Sequence, residues 1–120
     1  MEKHIKQVRQ LVGEDVLLIP CQFKSKRPQG AWKHIGQQHM QDPDYLDKLA
    51  KAGNIAVVLG KPSGDLISLD FDDEGALKEF CSHNPTISQT LITAASRGAN
   101  LWLRMLGNYP PLHRLIREGE

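Results

Sequence analysis

Hydrophobic residues recur at helical spacing near the start of the chain, at positions Ile5, Val8, Leu11 and Val12. This spacing predicts an amphipathic helix over residues 3–13. Further along, Asp42 followed by Pro43 is a typical helix start, with an N-cap side chain and a proline in the first turn. Asp73 is placed to cap a third helix over residues 74–82. The pattern therefore predicts three helices, and a further short helix over residues 112–117.

Short apolar runs separate these helices and predict five strands, over residues 16–19, 55–59, 66–71, 90–93 and 100–105. Pro20 should end the first strand. Because a short loop rich in Gly and Pro joins the second and third strands, we expect them to form an antiparallel hairpin, and the last two strands to form another. The order of elements predicts an α+β fold, a mixed or antiparallel sheet with helices packed on one face.

Composition agrees with one folded domain over residues 1–120, since 40% of the residues are hydrophobic and 24% are charged. The apolar runs fall far short of the roughly 20 residues that cross a bilayer, and the N-terminus lacks the apolar core of a signal peptide. Cys21 and Cys81 are too few for a disulfide framework. We therefore expect a reduced, cytoplasmic domain that does not contact a membrane.

The net charge of +1 does not by itself indicate a nucleic-acid-binding protein, but the charges are segregated along the chain. One stretch has four cations and no acid: Lys24, Lys26, Arg27 and Lys33. Another has six acids and one cation: Asp65, Asp70, Asp72, Asp73, Glu74, Lys78 and Glu79. This segregation allows a metal-binding end beside a phosphate-binding end. Charge alone favours the simpler interpretation, two solvated surfaces of opposite sign.

Asp70 and Asp72 are the first candidate site. Because side chains alternate along a strand, both carboxylates should lie on the face opposite Leu69 and Phe71. Residues two apart on a strand are about 6.5–7 Å apart, which lets both carboxylates bind one divalent cation or a pair. The alternative is that Asp72 or its neighbour only caps the helix that follows.

Arg97 is the second candidate, because an arginine on a glycine-containing turn can bind a phosphate through two parallel hydrogen bonds. In the strand after this turn, alternation leaves Asn100, Trp102 and Arg104 on one face. If this strand belongs to the same sheet, that face is the one with Asp70. Taken alone, the turn favours the alternative of an ordinary hairpin with a solvated arginine.

Three segments with these features follow one another at a characteristic spacing: Ile19-Pro20 with Lys26, Pro28 and Trp32; residues 54–60 and 63–72; and Pro85-Thr86, Thr93 and residues 96–104. Together they resemble the N-terminal domain of bifunctional DNA primase/polymerases, of the archaeo-eukaryotic primase superfamily. The resemblance covers about residues 5–105. It implies a sheet similar to a modified RNA-recognition motif.

The resemblance also implies a function, namely template-directed nucleotidyl transfer from nucleoside triphosphates on a DNA template, in the replication of a phage, plasmid or mobile element. Asp70 and Asp72 would be the catalytic carboxylates and would hold Mg²⁺ or Mn²⁺. Three residues of the last segment would contact the nucleotide: Ser96, Arg97 and Asn100. Lys24 or Lys26 would contact the template or its phosphates.

Two departures from the family pattern qualify this expectation. Asn100 stands where the family usually has a histidine, and an asparagine lacks the charge of a protonated imidazole. The family also supplies a third acid from a later strand, whereas Glu118 and Glu120 follow no strand pattern. We therefore expect a truncated domain of a longer replication protein with further domains, such as a helicase. An open sheet edge left by truncation would allow a homodimer.

Because of these departures, the sequence does not decide whether the chain is an enzyme. The alternatives are a non-catalytic nucleotide- or nucleic-acid-binding module and a structural domain of a larger replication protein. For the 120-residue chain alone, we expect weak nucleotide binding at most and no primer synthesis.

Overall fold

Three α-helices and two antiparallel sheets make up the fold, which confirms the predicted α+β class. The computed structural model describes residues 2–25, 27–94 and 98–109. Its elements in chain order are α1 (Glu2–Val12), β1 (Leu17–Cys21), α2 (Pro43–Lys51), β2 (Asn54–Val58), β3 (Leu66–Phe71), α3 (Glu74–His83), β4 (Ile92–Ala94) and β5 (Ala99–Arg104). Short 3₁₀ turns at Gln37–Gln41 and Lys61–Ser63 precede α2 and β3.

The predicted helix starts are confirmed, because each depends on a local cap. The Asp42 side chain accepts a hydrogen bond from the backbone nitrogen of Asp44 at 3.0 Å, at the start of α2. The Asp73 carboxylate accepts from the backbone nitrogen of Ala76 at 2.7 Å, at the start of α3. Both contacts satisfy backbone donors that a helix leaves unpaired in its first turn. α1 ends directly before Gly13, as its apolar pattern predicts.

The predicted hairpin of β2 and β3 is wrong, because the two strands belong to different sheets. β2 pairs with β1, whereas β3 pairs with β5, so that the second sheet has the order β3–β5–β4. Within the described ranges, one isolated bridge joins Gly60, two residues beyond the end of β2, to Leu66 of β3. Between them the chain makes a 3₁₀ turn, and Gly64 and Asp65 adopt left-handed backbone angles. Beyond this turn, β3 pairs with β5 and not with β2.

The predicted hairpin of β4 and β5 is confirmed, although three of the four residues that join the strands, 95–97, lie outside the described part. Across the sheet, Asp70 of β3 lies opposite Asn100 of β5, which lies opposite Thr93 of β4. The helix predicted for residues 112–117 also falls outside the described residues.

Pro20 lies inside β1 and does not end it, contrary to the prediction. The Pro20 carbonyl accepts a hydrogen bond from the backbone nitrogen of Gln29 at 3.0 Å, on the side of β1 away from β2. In an antiparallel ladder, the N–H and C=O groups of one residue point to the same side. The missing N–H of Pro20 therefore faces the outer edge, where the β1–β2 ladder does not need it.

The main core lies where α1, α2 and β1 meet the beginning of β3. Its buried members are Ile5, Val16, Leu17, Leu18, Met40, Tyr45, Leu49 and Leu66. The Tyr45 hydroxyl donates to the carbonyl oxygen of Leu18 at 2.7 Å, which satisfies the polar end of this buried ring. A separate contact holds α3 against the other sheet, since the centres of the Phe71 and Phe80 rings are 5.3 Å apart.

Ser63 and Arg104 join the two sheets. The fully buried Ser63 hydroxyl accepts from the backbone nitrogen of Leu17 at 2.7 Å and donates to the carbonyl of Val58. The Arg104 guanidinium forms a two-pronged ion pair with Asp15, at 2.7 and 2.9 Å. Arg104 also donates to three carbonyl oxygens, those of Val12, Ser63 and Gly64. These bonds fix β5 to the end of α1 and to the turn before β3.

Candidate functional site

Asp70 lies on the face of the second sheet that α3 leaves uncovered. Its neighbour Phe71 contacts Phe80 of α3, and side chains alternate along β3, so Asp70 points to the opposite side. The Asp70 side chain is exposed. The Ser68 hydroxyl, on the same face, donates to Oδ1 of Asp70 at 2.9 Å. Asp70 is thus an exposed carboxylate whose orientation is set by its own strand.

Asn100 is brought next to Asp70 by the pairing of β3 with β5. With its amide nitrogen turned toward Asp70, Asn100 donates to Oδ1 of Asp70 at 3.3 Å and to the carbonyl oxygen of Ala99 at 3.1 Å. Thr93 continues the row on β4, and its hydroxyl oxygen accepts from the indole nitrogen of Trp102 at 2.9 Å. Two of the residues predicted for the site, Asp70 and Asn100, are therefore in contact.

Asp72 lies one residue beyond the end of β3, because the strand stops at Phe71. The expectation that both carboxylates belong to one regular strand is therefore met by Asp70 but not by Asp72. The N-cap of α3 is Asp73, so Asp72 does not serve as the helix cap. Asp72 remains exposed, two positions after Asp70 along the chain.

The backbone packs closely at this end of the sheet. Gly98 has a φ of +74°, and a Cβ atom there would lie 1.7 Å from the carbonyl oxygen of Phe71. A side chain at position 98 would therefore push the start of β5 away from the end of β3. Ser96 and Arg97, the predicted phosphate contacts, lie outside the described residues, as does Lys26.

Lys24 belongs to a different part of the molecule. It follows β1, in the loop beyond the first sheet, and its side chain is exposed. Its ammonium group lies 5.5 Å from the centre of the Phe23 ring. Charge singles out Lys24 in the sequence but not Phe23, although an aromatic residue in an acid-free basic stretch is a recognisable signal.

Asp65, the first acid of the acidic stretch, has a structural role. Lys61 forms an ion pair with Asp65 at 2.9 Å, and the Tyr109 hydroxyl donates to the same carboxylate at 2.8 Å. These hydrogen bonds, from Lys61 first and then from Tyr109, lower the pKa of Asp65. Its charge is thus compensated by its neighbours, in contrast to the carboxylates of Asp70 and Asp72, which have no ion pair among the described residues.

The donor set at Asp70 suits a cation that the substrate helps to bind. In residues 2–25, 27–94 and 98–109, no three His, Cys, Asp or Glu side chains gather as a ready-made metal site. Asp70 and Asp72 offer carboxylate oxygens, and Mg²⁺ often binds through one or two carboxylates together with substrate phosphates. The residues present therefore fit Mg²⁺ or Mn²⁺ held jointly by the protein and a triphosphate, and not by the protein alone.

The site is an exposed surface. One cavity of about 580 Å³ lies between α1 and α2, and a smaller one of about 260 Å³ lies between α1 and β5. Neither is lined by Asp70 or Asp72. A nucleotide bound at Asp70 would therefore lie on the sheet face, with much of its surface in contact with solvent.

Compared with models of known families, with curated proteins and with solved structures, the chain matches none of them. In the described part, no helix is both long and apolar enough to cross a membrane. The case for a function therefore comes from the residue pattern and from the contacts among Ser68, Asp70 and Asn100.

Proposed function

We propose that this chain is a primase/polymerase-like domain, which binds a nucleoside triphosphate with Mg²⁺ or Mn²⁺ at Asp70 for template-directed nucleotidyl transfer in DNA replication. The observation that carries the proposal is the contact of Asp70 with Asn100 on a sheet face that α3 leaves open. An exposed carboxylate held by neutral donors on two paired strands is well oriented to bind a cation. Among the described residues, neither core packing nor an ion pair explains the presence of the Asp70 carboxylate on this face.

In this proposal Asp70 and Asp72 supply the carboxylate ligands. When bound, the divalent cation neutralises charge on the triphosphate and orients it for in-line displacement. Ser68 and Asn100 act on Asp70 by hydrogen bonds that hold its carboxylate in place, at 2.9 and 3.3 Å. Because Asn100 is neutral, Arg97 would supply the positively charged contact to the phosphates.

A second candidate, nucleotide binding without catalysis, is favoured by a specific observation. No third carboxylate gathers with Asp70 and Asp72 in the part of the chain that the structure describes. Two-metal phosphoryl transfer needs ligands for a second ion and for the attacking hydroxyl. A primer-extension assay with Mg²⁺ or Mn²⁺ separates the two candidates. We expect no synthesis by this chain alone, and robust synthesis that is abolished by Asp70→Ala would show that its catalytic site is complete.

The binding experiment addresses the site itself. Isothermal titration calorimetry with dATP and Mn²⁺ should show weak, metal-dependent binding to the wild type and at least tenfold weaker binding to Asp70→Asn. The matched control is Asp47→Asn, since Asp47 is an exposed carboxylate of α2 whose ion pair with Lys51 is at the surface. Equal binding by the wild type and Asp70→Asn would refute the proposed site.

The proposal includes a reduced, cytoplasmic compartment and a longer replication protein with further domains. The support for this compartment is the cysteine count, because two cysteines, Cys21 and Cys81, are too few for a disulfide framework. A homodimer is also proposed, because β3 is an edge strand and the described residues place no strand beside it beyond the bridge at Gly60. Analytical ultracentrifugation tests the dimer, which a monomer at all concentrations would exclude.

A further inference from the structure

The loop that follows β1 folds back on itself as a hairpin. The backbone nitrogen of Gln22 donates to the carbonyl of Arg27 at 2.9 Å, and Ser25 donates to the carbonyl of Gln22 at 3.1 Å. A bridge between Cys21 and Pro28 closes the base of the hairpin. Three side chains at this tip are exposed and are called the aromatic-basic tip below: Phe23, Lys24 and Arg27.

The start of β2 fixes the backbone of the tip. The Asn54 side-chain amide donates to the carbonyl oxygen of Ser25 at 2.9 Å. Gly53 packs so closely that a Cβ atom there would lie 2.7 Å from Cα of Phe23. The backbone of Phe23 is therefore held against β2, whereas its side chain is 73% exposed. An aromatic ring that is anchored at its base and open to solvent is available to stack on a ligand.

The charged residues of the loop that carries this ring are all basic. The Lys24 ammonium lies 5.5 Å from the centre of the Phe23 ring, and the sequence has no Asp or Glu between Cys21 and Gln41. Cations beside an exposed aromatic ring are the combination by which proteins bind single-stranded nucleic acid, since bases stack on the ring and phosphates contact the cations. The tip thus complements a flexible polyanion with exposed flat rings.

We propose that the aromatic-basic tip binds single-stranded nucleic acid, with a base stacked on the Phe23 ring and adjacent phosphates on Lys24 and Arg27. A duplex keeps its bases paired and stacked on one another, so it should bind less well. Identifying the strand as the template rests on the proposed function, whereas the binding itself requires neither Asp70 nor a nucleotide.

The test is fluorescence anisotropy with labelled 12-nucleotide oligo(dT) and oligo(U), at low salt and without nucleotide or metal. Phe23→Ala should weaken binding by about 5- to 150-fold, the range for one base stacked on an aromatic side chain. Phe23→Trp should retain binding, whereas Phe23→Leu, which is apolar but not flat, should behave like Phe23→Ala. Comparing the two oligonucleotides shows whether the tip prefers DNA or RNA.

Two further sets of variants separate stacking from charge and from general apolar contact. Ile87→Ala is the matched control, since Ile87 is another exposed apolar side chain, and it should bind like the wild type. Lys24→Gln and Arg27→Gln should each reduce the slope of log K against log salt by about 0.7, the value for one phosphate contact on a single strand. Circular dichroism and thermal melting should show that all these variants remain folded, because the three side chains are exposed.

The proposal would be overturned if Phe23→Ala and Ile87→Ala bound the oligonucleotide with equal affinity. It would also be overturned if the wild type bound a duplex as tightly as the single strand. A preference for anionic vesicles over oligonucleotides that depends on Phe23 would overturn it as well. Asp70→Asn keeps this experiment independent of the nucleotide site. That variant should bind oligonucleotide like the wild type. Loss of oligonucleotide binding in Asp70→Asn would contradict a separate surface at the tip, whereas failure of nucleotide binding alone would leave the tip intact and refute the proposed function.

Discussion

Replacing Ser63 by alanine should destabilise the fold far more than the loss of one hydroxyl from a turn normally does. Ser63 is 0% exposed, and its hydroxyl lies between two backbone groups at the end of the β1–β2 ladder. It accepts from the nitrogen of Leu17 at 2.7 Å and donates to the carbonyl of Val58. Alanine keeps Cβ but leaves both groups without this partner in a region that water does not reach.

The magnitude follows from those two backbone groups. Leaving one buried donor or acceptor unsatisfied costs about 1–3 kcal/mol, so the two together should cost about 2–6 kcal/mol. A domain of this size is stable by about 5–15 kcal/mol, so this loss is a large fraction of the total. At about 4 °C per kcal/mol for a domain of this size, it corresponds to a decrease in Tm of about 8–24 °C.

Urea denaturation followed by circular dichroism measures this change. Ser82→Ala is the control, because Ser82 is exposed on α3 and its replacement should change the free energy of unfolding by less than about 0.5 kcal/mol. A loss below about 1 kcal/mol for Ser63→Ala would refute the reasoning, since it would mean that the hydroxyl does not bridge the two backbone groups.

Three further predictions concern the junction, the core and the edge of the site. Arg104→Lys should lower the free energy of unfolding by about 1–2 kcal/mol in urea denaturation, because an ammonium cannot form all the hydrogen bonds of the planar guanidinium; stability equal to the wild type would contradict this. Burial raises the pKa of Tyr45 from 10.0 to about 12. The unfolded chain therefore loses the phenol proton first, and stability falls as pH rises through this range. Between pH 9 and 11 the wild type should lose about 1 kcal/mol more than Tyr45→Phe, and parallel pH profiles would refute the assignment. Gly98→Ala should cost about 1–3 kcal/mol and weaken dATP binding, because its Cβ would meet the Phe71 carbonyl; unchanged binding and melting would exclude this close packing.

Local signals in the sequence predicted the helices, because a cap such as Asp42 or Asp73 acts within three residues of its own position. The partner of β2 could not be predicted in this way. This strand pairs with β1, which is distant in the sequence, and such a long-range pairing leaves no local pattern. Pro20 was misleading for the same reason, since a proline is tolerated on the outer edge of a strand.

At the candidate site, alternation predicted the face on which Asp70 lies, because the two-residue period of a strand is a local property. The register that sets Asp70 opposite Asn100 and Thr93 joins residues far apart in sequence, so it required the structure. Arg104 shows the limit of the same pattern. Alternation assigned it to the polar face with Asn100, but its charge is engaged by Asp15, on the loop after α1.

Paramagnetic broadening by Mn²⁺ is the most direct test of the central claim, that Asp70 binds a divalent cation together with a nucleotide. In a ¹H–¹⁵N spectrum of the wild type with dATP, a small fraction of an equivalent of Mn²⁺ should broaden the amide signals of Leu69 to Asp72 and of Asn100 first. The same addition to Asp70→Asn should leave those signals sharp, and Mg²⁺ should shift them in the wild type without broadening. Selective broadening around Asp42, Asp44 or Asp47, or no selective broadening, would contradict a metal and nucleotide site at Asp70.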